Sequence, residues 1–396
     1  MNNEHSIIAH SAAGIWGKFG GCTAYPIMVK QYPETEKSED ALKGDAAHEL
    51  GEKMLYAGAH ANMNMPVKHE TINTKASNGI LIDDLIFEAA ELYAQDVITI
   101  MHQTRVYGGD KLGIEEKVEA KKIHDLSFGT LDARIFDPAN NSLYMWDFKS
   151  GYGVVEVFEC WQLINNCAGL LEKLQINGLY DQKLKIHFRI VQPNAYHRLG
   201  PIREWIVTAS DLRAYFNQLN HAAHEALSEK RMFQTGNHCK YCCARYACNA
   251  ALNTGMSLYE TVSKPVPMDL TPQQIGLQYS IVQRAREQLE FLESSYEEQI
   301  KRLQKSGIVV PGVTYELTYG RKKWNKPVKE ILALGELMGV NLKKPDDVIT
   351  PNQASKLSID SAIIDAYSIR DRSGTKLVLD SETRVRSIFG ELKNGN

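Results

Sequence analysis

Three strand-like segments follow one another in the first half of the chain, and they constrain the fold more than any other stretch. The first, "GIEEKVEAKKIHDL" (113–126), alternates between apolar and charged residues like a strand with one exposed face. The next two, "FGTLDARIFDP" (128–138) and "SLYMWDFK" (142–149), are mostly apolar and are separated by the turn sequence "DPANN". Short consecutive strands with tight turns favour an antiparallel meander.

Helical and strand patterns surround this meander. β-Branched residues predict further strands at 183–193 and 203–209. Apolar residues at helical spacing predict helices over 41–60, 80–103, 154–174 and 210–233, the last with Ser210 as its N-cap. Helices that precede, interrupt and follow the strands indicate an α/β core, with a mixed sheet flanked by helices.

Two acidic residues stand out in the second and third segments. Asp132 lies in "GTLDARI", and Asp147 lies fifteen residues later in "WDFK". If these segments pair as a hairpin, both carboxylates reach one end of the sheet. Lys149 projects from the same side as Asp147, because residues two apart on a strand face the same way. Adjacent carboxylates repel, so we expect a bound divalent cation, Mg²⁺ or Mn²⁺, which prefers oxygen ligands.

This combination of groups suits one kind of chemistry. An amine beside such an ion can orient or deprotonate a water molecule and stabilise charge on a phosphate, as hydrolysis of a phosphodiester bond requires. A surface hairpin with an ordinary ion pair is the alternative. Burying charged groups at the end of an apolar strand costs free energy, however, which favours a functional role for them. Glu116 on the preceding segment is a further candidate, although Glu115 and Glu119 make that choice ambiguous.

Four of the seven cysteines crowd into the ten residues from 239 to 248. Cys239, Cys242 and Cys248 have the spacing C-x2-C-x5-C, and Cys243 could in principle replace Cys242. Clustered thiolates suit Zn²⁺ or an iron–sulfur cluster, which usually take four ligands, so a fourth must come from elsewhere. Cys22 in "FGGCTAYPIM" is the best candidate. Buried thiols without a metal are the alternative.

Several of these motifs together resemble a known superfamily. "GTLD", then "DFKSG", then the glutamine-bearing "ECWQLINN" resemble the PD-(D/E)XK nucleases, and more narrowly their RecB-type branch. The resemblance implies a restriction-endonuclease-like core. It also implies roles for individual residues: metal binding by His48 (in "GDAAHELGE"), Asp132, Asp147 and the carbonyl of Phe148, activation of water by Lys149, and orientation of that lysine or contact with the phosphate backbone by Gln162. Asn166 departs from the pattern, since the branch often has tyrosine there.

The cysteine spacing resembles that of AddB-type nucleases and of the related nucleases of CRISPR adaptation. In those proteins one cysteine precedes the nuclease core and three follow it, and together they hold a [4Fe–4S] cluster. Cys22, Cys239, Cys242 and Cys248 match this order. The resemblance therefore implies a [4Fe–4S] cluster that joins the two ends of the nuclease domain, with Zn²⁺ as the alternative.

The resemblance implies a divalent-metal-dependent deoxyribonuclease, an exonuclease acting in DNA recombination or end processing. Expected partners are DNA and a recombinase, single-strand-binding protein or helicase. The alternative is a catalytically inactive nuclease fold that binds DNA or a protein and keeps a structural metal site. The chain also resembles phage-encoded proteins, and we find neither a secretory signal nor a bilayer-spanning apolar run. We therefore expect it in the cytoplasm of a bacterial host cell. A net charge of −3 means that any DNA-binding surface must be local.

The last third of the chain carries no catalytic motif. We predict a nuclease domain over 1–262 and a helical, basic extension over 263–396, joined by the linker "SKPVPMDLTP". A long helix from about 272 to 306 has an apolar stripe that either packs on the core or mediates self-association: Ile275, Val282, Leu289, Tyr296 and Leu303. A basic run around Trp324 either follows a phosphate backbone or is a solvated loop: Arg321, Lys322, Lys323, Lys326 and Lys329.

Overall fold

A computed structural model describes most of the chain: residues 6–32, 37–60, 62–176, 183–263, 270–319, 323–343, 351–354, 361–369 and 372–379. Contacts between residues divide the chain into two compact units, 1–295 and 296–396. The domain boundary after residue 262 stays a prediction. Among the described residues, none of the helices has both the length and the apolar character needed to cross a membrane.

A five-stranded mixed sheet forms the centre of the first unit. Its strands are β1 (Leu112–Glu119), β2 (Phe128–Asp137), β3 (Ser142–Phe148), β4 (Lys185–Val191) and β5 (Ile202–Thr208). They lie side by side in chain order, antiparallel throughout except for the parallel pair β3–β4. The predicted meander and the mixed α/β sheet are therefore confirmed.

Helices cover both faces of this sheet. The described α-helices of the first 250 residues are α1 (Ala13–Trp16), α2 (Tyr25–Gln31), α3 (Glu39–Ala59), α4 (Lys68–Thr71), α5 (Asp84–Thr104), α6 (Trp161–Lys173) and α7 (Arg213–Leu227). On one face, α3 and α5 enclose a core that contains Tyr93, Trp146 and Phe148. On the other face, α1, α6 and α7 enclose a core that contains Trp16 and Phe188. Helix α6 is the crossover that parallel β3 and β4 require.

Local hydrogen bonds explain two of the predicted boundaries that are wrong. The predicted strand 113–126 ends at Glu119, because the amides of Ile123 and His124 bond to the carbonyl of Ala120 and form a turn. The predicted cap at Ser210 is also wrong, since α7 begins at Arg213. The Ser210 hydroxyl lies 2.9 Å from that of Thr208 instead.

The remaining helices of the first unit follow the cysteine motif. They are α8 (Asn249–Val262) and α9 (Pro272–Lys305), which runs on into the second unit. The long helix predicted over about 272–306 is confirmed by α9. Its five stripe side chains are between 39% and 53% exposed, so they do not pack closely against the described residues. Residues 264–269 of the predicted linker lie outside the described residues.

The second unit corrects the expectation of a purely helical extension. Strand β6 (Val313–Tyr319) pairs with β9 (Arg372–Leu379), and β7 (Lys323–Trp324) pairs with β8 (Ser368–Ile369). The β6 sequence "VTYELTY" explains this, because it is rich in β-branched and aromatic residues, which favour a strand. The described helices here are α10 (Val328–Leu337), α11 (Pro351–Ala354) and α12 (Ser361–Tyr367). Trp324 packs against a small core with Ile331, while Arg321 and Lys322 of the predicted basic run lie outside the described residues.

Candidate metal centre

Three acidic residues form one row across the first three strands. The cross-strand pairs beside this row are Ile114 with Ala133, Glu116 with Leu131, and Ala133 with Trp146. Continuing that register places Asp132 opposite Glu115 on one side and Asp147 on the other. Like charges directly opposite each other destabilise a sheet. The row therefore requires positive charge close by.

Helix α3 supplies a histidine to this row. The Nδ1 atom of His48 lies 3.4 Å from Glu115 Oε1 and 3.8 Å from Asp132 Oδ1. Ligand atoms of these three residues all lie within 4.8 Å of one another, which is close enough to share one cation. The amide of Phe148 donates to the other Asp132 oxygen, Oδ2, at 2.5 Å, so Oδ1 is left facing His48. The Phe148 ring lies 5.0 Å from the His48 ring.

Asp147 adds a buried carboxylate beside this group. Its side chain is 1% exposed, and its Oδ1 atom accepts hydrogen bonds from Lys149 Nζ at 2.9 Å and Gln162 Nε2 at 2.8 Å. Its Oδ2 atom is buried and has no hydrogen-bond partner among the described residues. A buried carboxylate oxygen without a partner is costly, and a metal ion would satisfy it. The donor set thus fits a hard divalent cation.

Glu115 is the residue that the sequence left ambiguous. Its backbone adopts φ +45° within β1, a left-handed conformation that is strained for glutamate and that clusters at functional sites. This turns Glu115 toward His48, whereas Glu116 points away and pairs with Arg134 and Lys173. The alternation of side chains along a strand could not show which of Glu115 and Glu116 faces the site, because the positive φ of Glu115 interrupts that alternation.

Burial and neighbouring charges shift the pKa of four groups in the site, Asp132, Asp147, His48 and Lys149. Burial raises the pKa of Asp132 and of Asp147 above the ordinary value, against the opposing effect of the nearby cations. Burial alone would lower the pKa of His48, but Asp132 and Glu115 outweigh it and raise that pKa to about 9. Burial would also lower the pKa of Lys149, but Asp147 and Asp132 outweigh it and raise it. With His48 neutral, the three carboxylates and one ammonium leave two negative charges, which a divalent cation would balance.

The motif residues of α6 complete this group. Gln162 lies in the first turn of α6, and its Oε1 atom accepts a hydrogen bond from Lys149 Nζ at 3.2 Å. Gln162 thus contacts both Lys149 and Asp147, which suits an orienting role. The structure places His48 beside Asp132, and Lys149 and Gln162 beside Asp147, whereas Asp147 lies outside the three residues whose ligand atoms are all within 4.8 Å of one another.

One further residue of the site, Tyr93 on α5, could not be recognised from the sequence. Its side chain is fully buried, its ring stacks on Phe148 at 4.7 Å, and its hydroxyl has no hydrogen-bond partner among the described residues. Burial raises the pKa of Tyr93 well above the ordinary value, and Asp132, Glu115 and Asp147 raise it further. In the sequence Tyr93 is one apolar position among many on an amphipathic helix.

The four cysteines of the predicted cluster line one cavity, together with Met28 and Phe233. These four cysteines form no disulfide bonds. The fifth cysteine of the motif region, Cys243, does not line the cavity. Within the described part of the chain, no three cysteine sulfurs lie within 4.8 Å of one another. A tetrahedral zinc site with Zn–S bonds of about 2.3 Å would bring its sulfurs to about 3.8 Å apart. Burial raises the pKa of Cys242 to about 12.

Comparison with known proteins assigns the chain to a family. A family model described as "Protein of unknown function (DUF2800)" matches residues 5–384. The chain belongs to this family. No curated protein matches the chain. The DUF2800 match includes both the metal centre, between His48 and Gln162, and the cysteines from Cys22 to Cys248, so both candidate sites lie in the region that defines the family.

Proposed function

We propose that this DUF2800 protein is a divalent-metal-dependent DNA nuclease with a PD-(D/E)XK-like core. One observation carries the proposal: His48, Glu115 and Asp132 offer ligand atoms within 4.8 Å of one another, beside the unsatisfied Oδ2 of Asp147 and the amine of Lys149. The α/β core, with a parallel strand pair joined by the Gln162 helix, supports the same assignment. The exonuclease role in recombination or end processing rests on the motif resemblance.

The donor set favours Mg²⁺ or Mn²⁺. Carboxylate oxygens with a single imidazole suit hard divalent cations, and the three residues whose ligand atoms lie together are a histidine, a glutamate and an aspartate. His48, Glu115, Asp132 and Asp147 would hold the ion. When bound, it would polarise the scissile phosphate and lower the pKa of a water ligand.

The side chains of the protein itself have separable tasks in such a reaction. Hydrolysis forms a phosphorus–oxygen bond from water and breaks the bond from phosphorus to a sugar oxygen. Lys149 carries a raised pKa and is therefore an ammonium, which can donate to a phosphate oxygen and stabilise the developing charge. Gln162 fixes the position of that ammonium through its 3.2 Å contact. Phe148 holds Asp132 Oδ2 through its backbone amide, so Asp132 Oδ1 would remain able to bind the ion.

The cysteine cavity supports a second cofactor. Four thiols line one cavity, and their order along the chain is the one that the motif resemblance associates with a [4Fe–4S] cluster, so we favour that cluster over Zn²⁺. Such a cluster would join residues that precede the sheet to residues that follow it. Its role would be structural, since the cysteines take no part in the Asp132 and Asp147 site.

The test of this function is a single substitution in the metal centre. Asp147→Asn keeps the shape of the side chain but removes its charge, so we expect DNA cleavage to fall by about 10²-fold or more. The assay is a time course on end-labelled linear DNA and on closed circular DNA with Mn²⁺, which separates exonuclease from endonuclease activity. Circular dichroism and thermal unfolding would show that the variant is folded.

A matched control comes from the same sheet. Glu119→Gln alters an exposed carboxylate on β1 and should leave cleavage unchanged. Full activity in Asp147→Asn would refute the assigned site. DNA binding by the wild-type protein without turnover under any divalent metal would instead favour the inactive nuclease fold.

A further inference from the structure

One buried tyrosine beside the metal centre has no role in the proposed reaction. Tyr93 of α5 is fully buried, and its hydroxyl has no hydrogen-bond partner among the described residues. A buried polar group without a partner is rare and costs free energy, because it has lost its bonds to water. Phenylalanine would fill the same space without this cost, so the hydroxyl itself requires an explanation.

The ring of Tyr93 belongs to a chain of three rings that ends at a candidate metal ligand. It stacks on the ring of Phe148, with centroids 4.7 Å apart and an interplanar angle of 2°. The Phe148 ring lies 5.0 Å from the imidazole of His48, and the Phe148 amide donates a hydrogen bond to Asp132 Oδ2. Phe148 therefore contacts two candidate ligands, and Tyr93 packs against Phe148 from α5.

The backbone of α3 approaches the same ring closely. A Cβ atom added to Gly51 would lie 2.9 Å from Tyr93 Cδ1 and 3.2 Å from Tyr93 Cε1, so a larger residue would push the helix and the ring apart. Gly51 follows His48 by three residues, which places both on one face of α3. The Tyr93 ring thus sets the spacing between α3, which carries His48, and β3, which carries Asp147 and Phe148.

The charges that act on the Tyr93 hydroxyl come from the metal centre. Burial raises the pKa of Tyr93, and the carboxylates of Asp132, Glu115 and Asp147 raise it further. The hydroxyl therefore keeps its proton and is a hydrogen-bond donor near an excess of acceptors. Groups that donate to the ligands of a metal ion orient those ligands, and their removal commonly weakens metal binding by about 10- to 100-fold.

From these observations we propose that Tyr93 is a positioning residue of the metal centre. Its ring holds Phe148 beside His48, and its hydroxyl donates to the carboxylates of the loaded centre, directly or through a water molecule. This role rests on the divalent-metal binding of the proposed function, and it does not require that the protein cleaves DNA. The hydroxyl then contributes to metal affinity but not to the stability of the metal-free fold.

The variant Tyr93→Phe tests the hydroxyl alone, because it keeps the ring and its contacts. In the full chain we expect the affinity for Mn²⁺, measured by isothermal titration calorimetry, to fall about 10-fold or more. In EDTA the variant should unfold at the same temperature as the wild type or at a higher one, because a buried unpaired hydroxyl has been removed. A lower unfolding temperature with unchanged Mn²⁺ affinity would mean a purely structural hydroxyl and would overturn the proposal.

Two further variants serve as controls. The Tyr107 hydroxyl lies 3.0 Å from His102 Nδ1, and Tyr107→Phe should leave Mn²⁺ affinity unchanged because this hydroxyl already has a partner. Asp132→Asn should abolish Mn²⁺ binding, which would show that the titrated ion occupies this centre.

DNA cleavage by the same proteins separates the role of Tyr93 from the nuclease function. Unchanged Mn²⁺ affinity in Tyr93→Phe, with cleavage by the wild type, would overturn the role of Tyr93 and keep the nuclease. Tyr93-dependent Mn²⁺ binding without cleavage under any divalent metal would support the role and overturn the nuclease. Failure of the wild type to bind either Mn²⁺ or Mg²⁺ would overturn both.

Discussion

His10 occupies the space that a side chain at position 129 would need. A Cβ atom added to Gly129 would lie 2.6 Å from the Cβ of His10, which explains the glycine of the "GTLD" motif. The buried imidazole lies 2.6 Å from Asn166 Oδ1 and 3.1 Å from Ser127 Oγ. Asn166 is itself fully buried, so the larger tyrosine that resembled nucleases often carry there would displace His10.

The burial of His10 predicts a pH dependence of stability. Burial lowers the pKa of His10 to about 4, despite its hydrogen bonds, whereas an unfolded histidine titrates near 6.5. The unfolded chain therefore binds a proton that the folded chain excludes between these values. Stability is present above pH 6.5 and is lost as the pH falls toward 4, by about 3 kcal/mol for this group. We expect the difference in free energy of unfolding between wild type and His10→Asn to shrink accordingly.

Chemical denaturation at several pH values between 7 and 4 provides the measurement. His221→Asn is the control, because the His221 side chain is 78% exposed and its loss should leave the pH profile unchanged. Parallel profiles for the wild type and His10→Asn would contradict the prediction.

How much of the metal centre can be predicted from sequence depends on the residue. Asp132, Asp147 and Lys149 follow from strand alternation and the turn between their strands, because local pattern fixes which side each residue faces. His48 and Gln162 were assigned from the motif resemblance, because the local sequence of a helix does not determine which distant strand the helix packs against. Glu115 could be identified only from its positive φ in the structure, because residue propensities do not predict that conformation.

At the level of elements, the segment between β3 and α6 is held by side chains from the far edge of the sheet. Gln192 Nε2 donates to the carbonyls of Gly151 at 2.9 Å and Gly153 at 2.7 Å, and Gln192 Oε1 accepts from the amide of Val155. Arg203 donates to the carbonyl of Val155 at 2.8 Å. These contacts explain why the helix predicted over 154–174 begins only at Trp161, since the amide and carbonyl of Val155 are already satisfied outside a helix.

This loop directly follows Lys149, so under the proposed nuclease function we expect Gln192 to act as a positioning residue. Gln192→Leu leaves backbone groups of the loop without partners, and we expect the free energy of unfolding to fall by about 1–3 kcal/mol. We also expect kcat to fall with KM nearly unchanged, because Lys149 would be displaced while DNA contacts elsewhere remain. Faster hydrogen exchange confined to residues 151–155 would connect the two effects.

Two further variants separate positioning from general loss of stability. Gln218→Leu removes a single 3.3 Å hydrogen bond to Gly17 and should leave exchange at 151–155 unchanged. Gln192→Glu keeps the acceptor for Val155 and Arg203 and should recover part of kcat. A fall in stability with unchanged kcat in Gln192→Leu would contradict the positioning role.

Across the whole molecule, the α/β class followed from the order of helical and strand patterns, whereas the second unit did not. Strands β6 and β9 are separated by more than fifty residues, so neither could be recognised as a pair from local pattern. The cysteine cavity shows the same limit. Three of its cysteines lie within ten residues of one another in the sequence. Cys22 lies near them only because the segment that follows the sheet packs beside the N-terminal segment.

This long-range junction yields a prediction about the whole first unit. A cluster held by Cys22, Cys239, Cys242 and Cys248 would close a very long loop, which stabilises the fold chiefly by restricting the unfolded chain. Protein purified without oxygen should be brown, with iron and acid-labile sulfide in about equal amounts. Cys22→Ser should lose most of the iron and lower the unfolding temperature by about 5 °C or more, since losses of a few kcal/mol shift Tm by this much in a unit of this size. Cys243→Ser should retain both iron and stability, because Cys243 does not line the cavity; a colourless protein that contains zinc would contradict the cluster.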